Sequence, residues 1–145
     1  MFDIATCIIG SFGFSVLLKV SKQKLIYTVL GGAISASLSY FFMQNGYGSF
    51  AATFFAMAAI SIYSEVLARI IKTPANIILL PSTIPLLPGG NLYYTLSYLL
   101  HADKANFLIY AKETILIGAG IALGAVFISI IITFITDIKN KFNAK

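Results

Sequence analysis

Five long apolar runs, interrupted by short polar segments, take up almost the whole of this 145-residue chain. With about 20 apolar residues for one bilayer crossing, the pattern predicts transmembrane helices over about 4–20, 25–43, 49–71, 75–100 and 109–136. The connections, Ser21 to Lys24, Gln44 to Gly48, Lys72 to Pro74 and His101 to Asn106, leave no room for a soluble domain. The expectation is one all-α polytopic membrane domain over residues 1–145, with five spans. The first run resembles a signal peptide only in hydrophobicity. Met1-Phe2-Asp3 carries no basic segment and no small-residue cleavage site follows, so it is read as a mature helix.

The fourth run is different in kind. Pro81-Ser82-Thr83-Ile84-Pro85-Leu86-Leu87-Pro88-Gly89-Gly90-Asn91 puts three prolines and two glycines inside it. Proline removes a backbone donor and glycine admits unusual backbone angles, so the helix is expected to unwind around Pro88-Gly89-Gly90, near the bilayer midplane. In lipid, irregular backbone persists only where protein buries it or a water-filled cavity adjoins it. Asn91 then stands where it would cap a second half-helix, whose N–H groups face the gap and attract a carboxylate. Tyr93 and Tyr94 lie just beyond, placed to line such a site. The bland alternative is a proline kink that only packs. A re-entrant hairpin is the rival topology, but residues 75–87 reach only ~20 Å as a helix against ~39 Å for 75–100, which favours a full crossing.

Composition agrees with a membrane protein: 59% of residues are hydrophobic, 10% are charged, and mean hydropathy is +0.91. The net charge of +5 raises nucleic acid as a partner, yet the ten basic residues are scattered in short segments with no interleaved aromatic patch. They serve better as topology signals. Lys19, Lys22, Lys24, Arg69, Lys72, Lys139, Lys141 and Lys145 fall on one side of a five-span arrangement, against Lys104 and Lys112 on the other. The positive-inside rule then puts the N-terminus out and the C-terminus in.

Candidate chemistry is sparse. One cysteine, Cys7, and one histidine, His101, argue against a disulfide framework and a metal site, and no cofactor motif is present. No nucleophile elbow, phosphate loop or carboxylate pair supports an enzyme. Glu65 is the acid deepest in an apolar run, and Arg69 follows one helical turn later, so a structural ion pair competes with a coupling role. Lys112 and Glu113 read as a solvated helix start, and His101 and Asp103 as a non-catalytic outer loop. Small residues recur at helical spacing, at Gly31, Ser35 and Ser39, at Ala52, Ala56 and Ala59, and at Gly120 and Gly124, which predicts close helix contacts.

Arg69, the string Lys72-Thr73-Pro74-Ala75, Pro81, and Ile84-Pro85-Leu86-Leu87-Pro88-Gly89-Gly90 with Tyr93 behind it together resemble the signature of the threonine/serine exporter family. The chain is similar to that family's short C-terminal module in the form of a separate small subunit. The resemblance implies assembly with a larger membrane subunit of the same family. It also implies export of threonine and serine, or of a dicarboxylate such as succinate, across the cytoplasmic (inner) membrane of a bacterium, driven by the proton motive force. The matched string points to Pro85, Pro88, Gly89 and Gly90 as substrate-binding positions acting through backbone groups; Asn91 and Tyr93 are added by their place behind the break. Two other readings compete: a non-transporting assembly subunit packed through its small-residue faces, and a self-assembling channel, which lacks a charged ring or carbonyl filter.

Overall fold

The computed structural model describes residues 2–143, all of whose regular structure is helical. Lys145, one of the residues counted for topology, lies outside that range. The elements are α1 (Phe2–Leu17), α2 (Lys22–Gln44), α3 (Ser49–Ile70), α4 (Asn76–Thr83), a 3-10 turn (Ile84–Leu86), α5 (Gly89–Leu100) and α6 (Lys104–Asn143). Among the described residues three helices are long and apolar enough to cross a membrane: α2, α3, and α6 over Lys104–Ile138. Thr6–Leu17 and Asn76–Leu86 are apolar but shorter.

Several helices stop at a residue in the left-handed region: Lys19 (φ 54°), Gly46 (φ 82°), Lys72 (φ 50°) and Ala102 (φ 56°). In each case the following N–H reaches back across the last turn, as in Val20 to the Ser15 carbonyl (3.0 Å) and Asp103 to that of Tyr98 (3.0 Å). These closures consume helix-end carbonyls that lipid would leave unsatisfied.

Packing fixes two pairs of parallel helices. α6 runs beside α3, with Glu113 at Ser49, Gly120 and Gly124 against Phe50 to Met57, and Thr136 at Arg69. A side chain at Gly120 would start 2.6 Å from the Phe50 carbonyl oxygen, and one at Gly124 would start 2.7 Å from that of Phe54. α4 runs beside α2, from Lys24 bonded to Thr73 (2.7 Å), through Thr28 and Ser35 at Ser82, to Gly32 beneath Pro85. Gly31 and Gly32 leave room there for the Ser82 and Ser11 side chains. The seam is hydroxyl-rich: Ser15 pairs with Thr28 (2.7 Å), and Ser82 donates to the Ile78 and Thr28 carbonyls (2.8 and 3.2 Å). Ala52, Ala56, Ile60 and Ile78 are fully buried, whereas most large apolar side chains on the outer faces are exposed, as suits a surface against lipid.

The break departs from the expected one in place and form. α4 ends at Thr83, the chain tightens into the 3-10 turn, and Leu87 is extended (φ −66°, ψ 133°), as a residue preceding proline prefers. Gly89 and Gly90 are helical, being the first two residues of α5, and Asn91 is the third instead of the cap. Along its neighbours the break runs from Gly32, midway along α2, where Pro85 packs, toward Ser39 and Met43 near the end of that helix, and Leu86 packs on Ala56 and Met57 of α3. α5 packs on α6 and extends past that level with the first turns of α6. At 40 residues α6 is about 60 Å long, twice the ~30 Å hydrocarbon core.

Candidate functional site

The irregular backbone at Ile84–Pro88 is framed by one hydrogen bond from α2 to the end of α4 and by local bonds of its own. The Ser82 carbonyl, in the last turn of α4, accepts a hydrogen bond from the Ser35 hydroxyl (2.8 Å), and Thr83 Oγ1 donates to the Leu80 carbonyl (2.8 Å). Pro88 (φ −78°, ψ 52°) forms the centre of an inverse γ-turn, closed by the Gly89 N–H on the Leu87 carbonyl (2.8 Å). The Pro88 carbonyl accepts the Leu92 N–H (2.8 Å) and so starts α5. The N–H groups of Gly90 and Asn91 belong to the first turn, where no intrahelical acceptor exists and the helix dipole is positive.

Beside this turn is a cavity of about 160 Å³. Pro85 to Pro88 form one wall, Ser39 and Met43 of α2 a second, and Ser49, Thr53 and Ile117 the remainder. Ser49 donates to the Glu113 carboxylate (2.5 Å), so a half-buried acid of α6 stands behind one of the lining residues. Thr53 Oγ1 is held by the Ser49 and Ile117 carbonyls (2.8 and 3.4 Å). The arrangement sets hydroxyls on one side, one of them bonded to a carboxylate, and a positive helix end beyond the proline wall.

The sequence-predicted residues distribute unevenly around it. Pro85 and Pro88 line the cavity. Gly89 and Gly90 do not; the space where their side chains would begin is open. Asn91 makes no side-chain cap, and its carbonyl accepts Thr95 Oγ1 (2.7 Å). Tyr93 is 68% exposed and stacks edge-on with Tyr94, which joins Tyr98 and Tyr110 in an α5–α6 aromatic cluster away from the cavity wall. Glu65 and Arg69 sit at the opposite end of α3, 3.9 Å apart and 37% and 61% exposed, so the structure does not bring them to the break. Arg69 also approaches Thr136 (3.4 Å).

Ser39, Ser49, Thr53 and Glu113 were not singled out as site residues by sequence reasoning. Glu113 reads as a solvated helix start, and its contact with Ser49 spans 64 residues, beyond any local periodicity. One signal was available: Glu113 immediately precedes an uncharged run from Thr114 to Thr136, so it marks the edge of the apolar helix. Asp103, assigned no role, is the N-terminal cap of α6: its carboxylate accepts the Asn106 N–H (3.2 Å) and side-chain amide (2.8 Å). Those bonds from Asn106 hold the Asp103 carboxyl below the ordinary aspartate range.

The profile of a protein family described as "Threonine/Serine exporter, ThrE" matches residues 3–131. No match was found among curated proteins or among solved structures.

Proposed function

This chain belongs to the threonine/serine exporter family, and on that premise we propose that it is the small subunit of a two-component secondary exporter, with the cavity at Pro85–Pro88 as its substrate site. The substrate is threonine, serine or a related small carboxylate, moved outward across the cytoplasmic membrane of a bacterium, and the partner is a larger membrane subunit of the same family. In this reading α4, the 3-10 turn and α5 together make the fourth crossing, and the N-terminus is out and the C-terminus in.

The observation that carries the proposal is the cavity's fit to a small hydroxy amino acid. Its volume of about 160 Å³ is room for a small molecule. The Ser39, Ser49 and Thr53 hydroxyls on its wall suit a polar substrate, and Glu113, bonded to Ser49, suits an ammonium group. Broad apolar exposure, with α5 packed mainly on α6, is consistent with a partner subunit. The assembly-subunit reading depended on the small-residue faces, yet Gly120 and Gly124 are used within the chain, against α3.

The test is efflux from cells lacking endogenous exporters, loaded with labelled threonine, serine and succinate. This chain, the larger subunit and the pair are each expressed. Efflux from the pair alone is the expected result, and Glu113→Gln should reduce it about tenfold or more, as loss of a charge-assisted contact would. Absence of efflux from a pair shown to be assembled in the membrane overturns the assignment.

A further inference from the structure

At the end of the bundle that carries most of the basic residues, α4 begins beside the corner between α1 and α2, and an apolar groove of about 180 Å³ runs between them. Leu18 and Val20 of the corner form one wall, and Asn76, Ile77 and Leu80 of α4 form the other. Leu18 and Leu80 are 48% and 56% exposed, so the groove opens on the outer apolar surface of the bundle and not into its core. Cations frame its polar end. Lys19 stands between the lining residues Leu18 and Val20, Lys24 lies in the first turn of α2, and Lys72 turns the chain from α3 toward α4.

Lys24 is the member that calls for a ligand. Its ammonium is partly buried and donates to the Thr73 hydroxyl (2.7 Å), and among the described residues no carboxylate lies within 4 Å of it. An ammonium has three donors, and a hydroxyl is a neutral partner for one of them. Glu65 is engaged with Arg69, and Asp137 belongs to a different surface, on α6 beside Thr133 and Phe134. The positive end of α4, at Asn76, adds charge of the same sign. Lysines at the head of an apolar groove that opens to lipid are complementary to a phospholipid with a net negative headgroup. We propose that this corner binds one anionic phospholipid, of the phosphatidylglycerol kind, with an acyl chain along Leu18, Val20, Ile77 and Leu80 and its phosphodiester held by Lys24, Lys19 and Lys72. Lysine suits the role, since its methylene stem lies along apolar surface while the ammonium reaches the headgroup level. A zwitterionic headgroup would bring its own ammonium to a site already rich in cations, and free phosphate would leave the apolar walls uncovered.

The experiment uses the full chain purified in detergent and reads no transport, so it stands apart from the efflux assay. Lipid retained per chain is counted by native mass spectrometry after addition of phosphatidylglycerol, phosphatidylcholine or inorganic phosphate, and the unfolding midpoint is measured in parallel. One phosphatidylglycerol per chain should be retained about tenfold more strongly than phosphatidylcholine and should raise the midpoint, whereas phosphate should do neither. Lys24→Gln, which keeps a donor for Thr73, and Lys72→Gln should each weaken phosphatidylglycerol retention about fivefold, the worth of one lysine near an anionic surface, and leave phosphatidylcholine unchanged. Leu80→Trp, which fills the groove from an exposed position, should weaken retention without lowering the midpoint in detergent alone. Equal retention of the two lipids overturns the proposal. So does a preference that survives both lysine substitutions, or a midpoint that rises as much with phosphate as with lipid.

Discussion

Gly120 and Gly124 illustrate how little room separates α3 from α6. Leucine at either would meet backbone oxygen less than 3 Å from its first side-chain atom, and backbone cannot move aside as a flexible side chain does. Gly124→Leu should therefore lower stability by about 3 kcal/mol or more, at or above the usual range for overpacked cores, measurable as a fall in unfolding midpoint in detergent. Gly89→Ala and Gly90→Ala face open space and should leave that midpoint within about 0.5 kcal/mol of the parent, so any loss of efflux they cause concerns the site. Ala102 poses the opposite problem, holding a left-handed conformation that costs a residue with a β-carbon about 1 kcal/mol. Ala102→Gly should recover roughly that amount. For Asp103 the sign is set by a folded-state pKa below its unfolded one: its cap is fully present above the ordinary aspartate range and is lost as pH falls through the lower value. Carbon-13 shifts of Lys104 to Phe107 should report the first turn of α6 fraying in that acidic window.

The elements themselves were largely legible. The run at 25–43 became Lys22–Gln44, that at 49–71 became Ser49–Ile70, and that at 109–136 lies within Lys104–Asn143, because apolar length and helix-end residues are local properties. The fourth run was legible only as irregular. Proline predicts that a helix must yield, but where it yields depends on which neighbours satisfy the freed groups; here Ser35, 47 residues away, takes the Ser82 carbonyl. That pairing sets the end of α4 beside the middle of α2, a level that no local pattern gives. The same limit hid Glu113, whose partner Ser49 comes from another helix. At this scale the test is Ser35→Ala: removing the hydroxyl leaves a buried carbonyl without its donor and should cost about 1–3 kcal/mol, seen as earlier unfolding.

For the molecule as a whole, the two parallel helix pairs define a bundle whose opposite ends carry different chemistry. Ser49 with Glu113 lies at one end of α3, and Glu65 with Arg69 near the other. The apolar exterior and basic loops already indicated a membrane-embedded object with a preferred orientation. The packing of Lys24 on Thr73 and of Glu113 on Ser49 fixes which ends of the helices lie together. The length of α6 has a practical consequence. If its uncharged stretch, Thr114 to Thr136, fills the bilayer, then the His101 corner stands well clear of the lipid, some 15 Å beyond Glu113 by helix rise. That corner is a handle. A short epitope inserted beside it should be stained by antibody on spheroplasts with sealed membranes, whereas staining that appears only after permeabilisation would invert the orientation given above.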